Sequence, residues 1–379
     1  MTALHQLEIY YNDRTRRARE WHEAGGKVIG YFCCFVPEEI ITAFDMLPYR
    51  LQGRPGEPID QADAFIEPMA CPFARSCFNL ALKGEYDFLD GFVAPHSCDT
   101  VERLFHIWRH EKPSPFSHLL NVPHMRGPGS EEFFQRELEY FIQNLEEWSG
   151  RKLEPERLRE AVRLSNRRRA ALRELYELRQ ADPPLVSGAE VTRMVVAGLG
   201  LPTAEHLELV KQAVAEIRTR PWAETPRGPR LFIWGSELDD DSFIQLVEEC
   251  GAVVVMDDLC TGTRIFWDDV LETADPLEGL AGRYLKTRCP RSFEPRTGTR
   301  AEDLENRFGH IGRFIREWRV DGVIGYIVRY CDTCELEGPD LREYLEGKQL
   351  PVLIIEDDYS TATMGQLRTR VQAFLEMLV

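Results

Sequence analysis

The sequence predicts an α/β protein in which two parallel-sheet, Rossmann-like domains flank a helical middle section. Short apolar runs alternate with amphipathic stretches over residues 1–125, and the alternation returns over 228–379, which is the signature of strands joined by crossover helices. Strand signals vanish over 126–227. At 379 residues the chain also exceeds one ordinary core, so two or three domains are expected.

In the first domain the run from Lys27 to Phe32 suits a buried strand, and Pro37-Glu38-Glu39 opens a helix with a proline and two acids in its first turn. A second strand is expected at Tyr49 to Leu51. Pro72 follows Cys71 as a first-turn proline does, and that helix ends at Gly84. Gly91 to Ala94 reads as the next strand, after which Asp99 and Thr100 follow Cys98 as capping residues of a helix reaching His110. Leu119 to Val122 completes the set.

In the middle, Ser130 with Glu131 and Glu132 opens a helix whose Phe134, Leu138, Phe141, Leu145 and Trp148 share one face. Helices follow at 154–180, 188–199 and 203–218, and the Pro-rich segment Arg220 to Pro229 reads as a linker. The last domain carries strands at Arg230 to Trp234, Ala252 to Met256, Gly322 to Val328 and Pro351 to Ile355. Helices lie between them at Ser242 to Glu249, Ala301 to Trp318 and Gly338 to Leu345.

A net charge of −17 argues against nucleic acid as a partner. Residues 151–180 carry ten Lys or Arg against five Glu, either the solvated face of a helix or a patch for an anionic ligand. No apolar run approaches the roughly 18 residues of a membrane span, and the amino terminus lacks a charged region followed by an apolar one, so a cytoplasmic location is expected. Ten cysteines in such a chain point to metal ligation, catalysis or small buried hydrophobes before disulfides.

Three of them stand at strand ends of both domains. Cys98 follows Gly91 to Ala94, Cys331 follows Gly322 to Tyr330, and Cys71 precedes its helix. Ligands gather at the carboxyl ends of parallel strands, and helix amino termini there favour negative charge, so a thiolate-bound metal cluster in the cleft between the domains is one reading. Cys331-Asp-Thr-Cys334 suits a zinc site or a redox pair as well as a cluster. Cys33 and Cys34 are adjacent and point differently, and Cys250 reads as core. Asp257-Asp258-Leu-Cys260-Thr-Gly262-Thr-Arg264 is either a pocket loop, with Gly262 at positive φ and Arg264 gripping an anion, or a capped strand-to-helix turn. Glu38 and Glu39 are acid–base groups or first-turn charges. His96 is a proton donor or an ordinary loop histidine.

The segments Gly30-Tyr-Phe-Cys-Cys-Phe-Val-Pro-Glu-Glu-Ile-Ile with Met46-Leu-Pro48, Cys71-Pro to Arg75-Ser, Tyr86-Asp-Phe-Leu-Asp-Gly-Phe-Val, His96-Ser-Cys-Asp99, Asp257-Asp-Leu-Cys-Thr-Gly262, Arg329-Tyr-Cys-Asp332, Pro351 to Asp358 and Gly365 to Glu376 resemble the 2-hydroxyacyl-CoA dehydratase D-component family, which includes cluster-bearing subunits of benzoyl-CoA reductase. The resemblance spans the chain. It implies an iron–sulfur subunit of an ATP-activated acyl-CoA reductase or dehydratase, holding a [4Fe–4S] cluster through Cys71, Cys98 and Cys331 and transferring low-potential single electrons to a CoA thioester. It implies as partners a homologous sister subunit or a second copy of the chain, an ATP-hydrolysing iron–sulfur activator protein and the acyl-CoA substrate. His96 and Glu38 are then the candidate catalytic groups, and Asp258, Gly262 and Arg264 the candidate substrate pocket. Cys77, Cys289 and Cys334 raise the thiols to six, which suits a related branch that carries a double-cubane [8Fe–9S] cluster and reduces small molecules. A third reading is an electron carrier or zinc-stabilised scaffold.

Overall fold

The computed structural model describes every residue except 128, 222–226, 297 and 379; the centre of the expected linker at Arg220 to Pro229 lies outside the described residues. Two four-stranded sheets form the frame. The first contains β1 (Val28–Tyr31), β2 (Leu47–Arg50), β3 (Gly91–Pro95) and β4 (Phe116–Leu120) in the order β2-β1-β3-β4. The second contains β5 (Arg230–Gly235), β6 (Val253–Asp258), β7 (Gly322–Val328) and β8 (Val352–Asp357) in the order β6-β5-β7-β8. Every pairing is parallel. The two orders are the same, so the halves repeat one architecture although their sequences show no repeat. An α/β fold with two parallel sheets is therefore what the chain adopts.

Seven of the eight strands overlap the apolar runs that predict them, because strands covered on both faces read as continuous hydrophobic stretches. β7, for example, is buried at every residue. β4 departs from this. It occupies Phe116–Leu120, not Leu119 to Val122, and alternates buried with half-buried residues as the edge of its sheet. Ser117 and His118 interrupt the apolar run, yet His118 faces inward between Phe116 and Leu120. Its Nδ1 stands 3.0 Å from Asn144 Nδ2 of the Ser130–Ser149 helix.

Burial pushes the pKa of His118 down to about 4, and that of His206 down to about 3. Both are held neutral in the folded chain. As pH falls from the ordinary histidine value near 6.5 the unfolded chain takes up these protons first, so stability is complete above about pH 6.5 and declines toward pH 4. Urea unfolding of His118→Asn protein should show a shallower decline over that interval than the parent; a superimposable pH profile would remove His118 from the account.

The helices do not stay with their nearest sheet. Ala3–Asn12 packs on Gly188–Ala197 and Thr203–Thr219, and Pro276–Leu285 packs on Ser130–Ser149. Leu280 and Tyr284 join Ile29, Tyr31 and Val93 in the core beside the first sheet. Another core runs unbroken from Phe32, Phe92 and Trp108 to Leu231, Ile233 and Ile324, so the sheets share apolar interior. The helix expected from Gly338 begins earlier, spanning Asp332–Gly347 with Cys331 at its N-cap. Gly338-Pro339 reads as a breaker, but a proline inside a helix whose other turns are packed removes one bond and leaves the remainder in place.

Candidate functional site

Three cysteines begin three helices. Cys71 is the N-cap of Pro72–Leu82, Cys98 of Asp99–Glu111, and Cys331 of Asp332–Gly347. Cys98 lies three residues after the end of β3 and Cys331 three residues after the end of β7, the same place in the two sheet orders. None makes a formal capping hydrogen bond. In each, however, the N–H of the third helical residue (Ala74, Val101 or Cys334) draws the thiol's acidity upward. Burial opposes this, pushing the Cys98 thiol up to about 12 and Cys71 higher. Part of the upward push on Cys71 comes from Cys331 and Cys98, so these thiols oppose its ionisation. Cys331 is shifted down, chiefly through its contact with Cys334.

A second group of thiols lies beside the first. Cys34 interacts with Cys260, Cys289 and Cys33, which together with burial push its pKa well up. Cys289 is pushed well down by Cys260 and Cys34. Cys98 feels Cys33 and Cys289 as well as Cys331, and so joins the groups. The chain brings the second group from three places. Cys33, at φ 64°, and Cys34 follow β1, Cys260 follows β6, and Cys289 follows the Pro276–Leu285 helix. The sequence places Cys33 and Cys34 after a strand but gives them a minor claim as ligands because they are adjacent, and places Cys260 only in the 257–264 loop.

The other candidates divide. Cys289 belongs to this second group; Cys77 is fully buried in the aromatic core of the Pro72–Leu82 helix; Cys334 is buried one turn into its helix. Cys250 is not inside a helix but caps the end of Ser242–Glu249, partly exposed. Glu38 is ion-paired with buried Arg168, and Glu39 with buried Arg169 and with the Tyr284 hydroxyl at 2.8 Å. His96 Nε2 lies 2.9 Å from Glu102, and its ring is 5.0 Å from that of His124.

Gly262 has φ −124°, not a positive value; a glycine is required there because a Cβ would stand 1.9 Å from Asp257 Oδ1. The loop is a capped turn, with the Thr263 N–H donating to Asp257 Oδ1 at 3.0 Å. Arg264 grips Asp258 at 2.8 Å and donates to the Gly235 carbonyl at 2.8 Å and to Cys260 Sγ at 3.4 Å. Asp258 and Arg264 nonetheless line a cavity of about 980 Å³, together with His310 and Arg288. The basic stretch 151–180 divides: Arg168, Arg169 and Arg179 are buried, Arg157 and Arg173 pair with Asp45 and Asp269, and Arg151, Lys152, Arg163 and Arg167 are exposed as a solvated face would have them.

No group of three or more His, Cys, Asp or Glu among the described residues is spaced to hold a single metal ion. Thiolates of a cluster each bind a different iron and stand farther apart than ligands of one ion. The donor set fits such a group in its chemistry, with sulfur ligands from both halves and helix N–H groups behind three of them.

These features define an α/β protein with two parallel sheets and buried thiols contributed by both halves. The chain belongs to the 2-hydroxyglutaryl-CoA dehydratase D-component family, whose model matches residues 33–378. It is 28% identical to one of the subunits of benzoyl-CoA reductase of Thauera aromatica, with 98% of this chain and 97% of that one covered. It is 24% identical to the (R)-phenyllactyl-CoA dehydratase beta subunit of Clostridium sporogenes, over 98% and 97%. It is 25% identical to the beta subunit of (R)-2-hydroxyglutaryl-CoA dehydratase of Acidaminococcus fermentans, over 93% of each. The chain is thus a subunit of the 2-hydroxyacyl-CoA dehydratase and benzoyl-CoA reductase type. Among the described residues no helix is long and apolar enough to cross a membrane.

Proposed function

We propose that this chain is the iron–sulfur subunit of a cytoplasmic, ATP-activated acyl-CoA dehydratase or reductase. The observation that supports the reading is the position of Cys71, Cys98 and Cys331 at three helix amino termini contributed by both halves, with Cys331 and Cys98 among the charges that bear on Cys71. These three would hold a [4Fe–4S] cluster, which when bound supplies low-potential single electrons for a CoA thioester. The chain's own residues present the sulfurs, surround them with apolar core and aim helix N–H groups at the negative charge. Residues 1–125 and 228–379 serve as the two jaws of the cleft, and 126–227 braces them. A homologous sister subunit, or a second copy, together with an ATP-hydrolysing activator protein completes the system, with the substrate entering by the cavity lined by Asp258 and Arg264.

A second reading, a double-cubane [8Fe–9S] protein that reduces small molecules, is favoured by one observation, the group Cys34, Cys260 and Cys289 beside the first three. On that reading Cys34 and Cys260 replace Cys77 and Cys334 among the six ligands. Iron and acid-labile sulfide analysis of anaerobically purified protein separates the two. About four irons per chain is expected for the first and about eight for the second; zinc without sulfide would sink both.

A further inference from the structure

We propose that Arg291 and Arg264 are fixed counter-charges for the anionic sulfur group in the cleft, and that Arg291 sets its reduction potential without being one of its ligands. The inference rests on the iron–sulfur reading above and adds to it. Arg291 is 2% exposed and lies two residues after Cys289. It makes no ion pair with a carboxylate among the described residues; its N–H groups donate to the carbonyls of Val122 at 2.7 Å, Pro123 at 3.0 Å and His96 at 3.0 Å, and its guanidinium stacks 4.5 Å from the Phe35 ring. Its Nε has no partner. A buried cation left in this state is costly unless an anion faces it.

The sulfur-bearing residues lie around it: Arg291 follows Cys289 by two residues, its ring partner Phe35 follows Cys34, and the His96 carbonyl it binds precedes Cys98 by two residues. The anionic groups that bear on its charge are Cys289, Cys33, Cys34 and Cys98. Arg283 and Arg230 are also bonded to carbonyls, but the anionic groups near them are carboxylates and tyrosines with a single cysteine, Cys34, near Arg283. Arg264, in the same half, is ion-paired with Asp258 but also places one nitrogen 3.4 Å from Cys260 Sγ and leaves a second, Nη2, buried without a partner. The hydrogen bonds of Arg291 to Val122, Pro123 and His96 also fasten the Cys289 loop to the loops after β3 and β4, so the charge cannot swing away.

Adding an electron to an anionic cluster is made easier by a fixed positive charge and by N–H donors to its sulfurs. Removing the charge should therefore move the midpoint potential to a more negative value. The test is an EPR-monitored redox titration of the iron-loaded chain as parent, Arg291→Met, Arg291→Lys and the neutral pair Arg264→Gln with Asp258→Asn. Iron and sulfide are measured on each. A more negative midpoint is expected for Arg291→Met and for the neutral pair, with Arg291→Lys restored toward the parent. Equal iron content with unchanged midpoints would overturn this inference alone. A parent without iron and sulfide would overturn it together with the proposed function. If Arg291→Met does not fold, the lysine variant and the neutral pair decide.

Discussion

Replacing Cys98 by Ala is expected to abolish the low-potential EPR signal of the anaerobically purified protein and to lower its iron content severalfold. Cys98 communicates with both thiol groups, as Cys331 does through Cys260, so its loss should be felt whether the protein carries one cubane or two. Cys71→Ala and Cys331→Ala are expected to behave in the same way. The informative comparison is with thiols that the fold places elsewhere. Cys250→Ser, at a partly exposed helix end, should leave iron and signal intact. Cys77→Ala should cost stability through the small cavity it leaves in the Phe78, Tyr86 and Trp108 core while keeping its iron. Cys34→Ala and Cys260→Ala then discriminate, because loss of half the iron marks a second cubane and full retention marks one. An unchanged signal in Cys98→Ala would refute the ligand assignment.

The frame was legible because both determinants are local. A strand buried on both faces leaves a continuous apolar run, and a parallel strand leads into a helix whose first residues are capping residues; β1, β3, β5 and β7 are found on those grounds, and with them Cys98 and Cys331. What stayed hidden depends on distant partners. Cys34, Cys260 and Cys289 form a group only because Pro276–Leu285 crosses to the first sheet, an exchange with no local signal. Gly262 carried a correct signal with the wrong cause, close approach to Asp257 in place of a left-handed turn. Arginines in the 151–180 stretch looked like surface because their carboxylate partners lie far away in sequence, 130 residues in the case of Glu39.

That last pair carries the largest expected stability effect. Glu39 is fully buried and Arg169 is 1% exposed. Together they bind the Glu38–Ala43 helix to Pro155–Glu177, and Glu39 also accepts from Tyr284 on the crossing helix. Burial alone would push the Glu39 pKa up, but Arg169 and Arg283 outweigh it and hold the carboxyl below its ordinary value. Glu39→Gln should therefore destabilise the chain by about 3–5 kcal/mol, because it leaves the Arg169 charge buried and unpaired. The double variant Glu39→Gln with Arg169→Met should recover much of that loss. The sign with pH follows. A carboxyl whose folded pKa is depressed contributes stability that is present above the unfolded value near 4.3 and is lost as pH falls through the folded one, so the parent should lose this contribution below about pH 4 and Glu39→Gln should not. Urea unfolding of the two single variants, the double variant and the parent closes the cycle; a cost below about 1 kcal/mol for Glu39→Gln, the value of an exposed pair, would show that this junction does not hold the halves of the cleft in register.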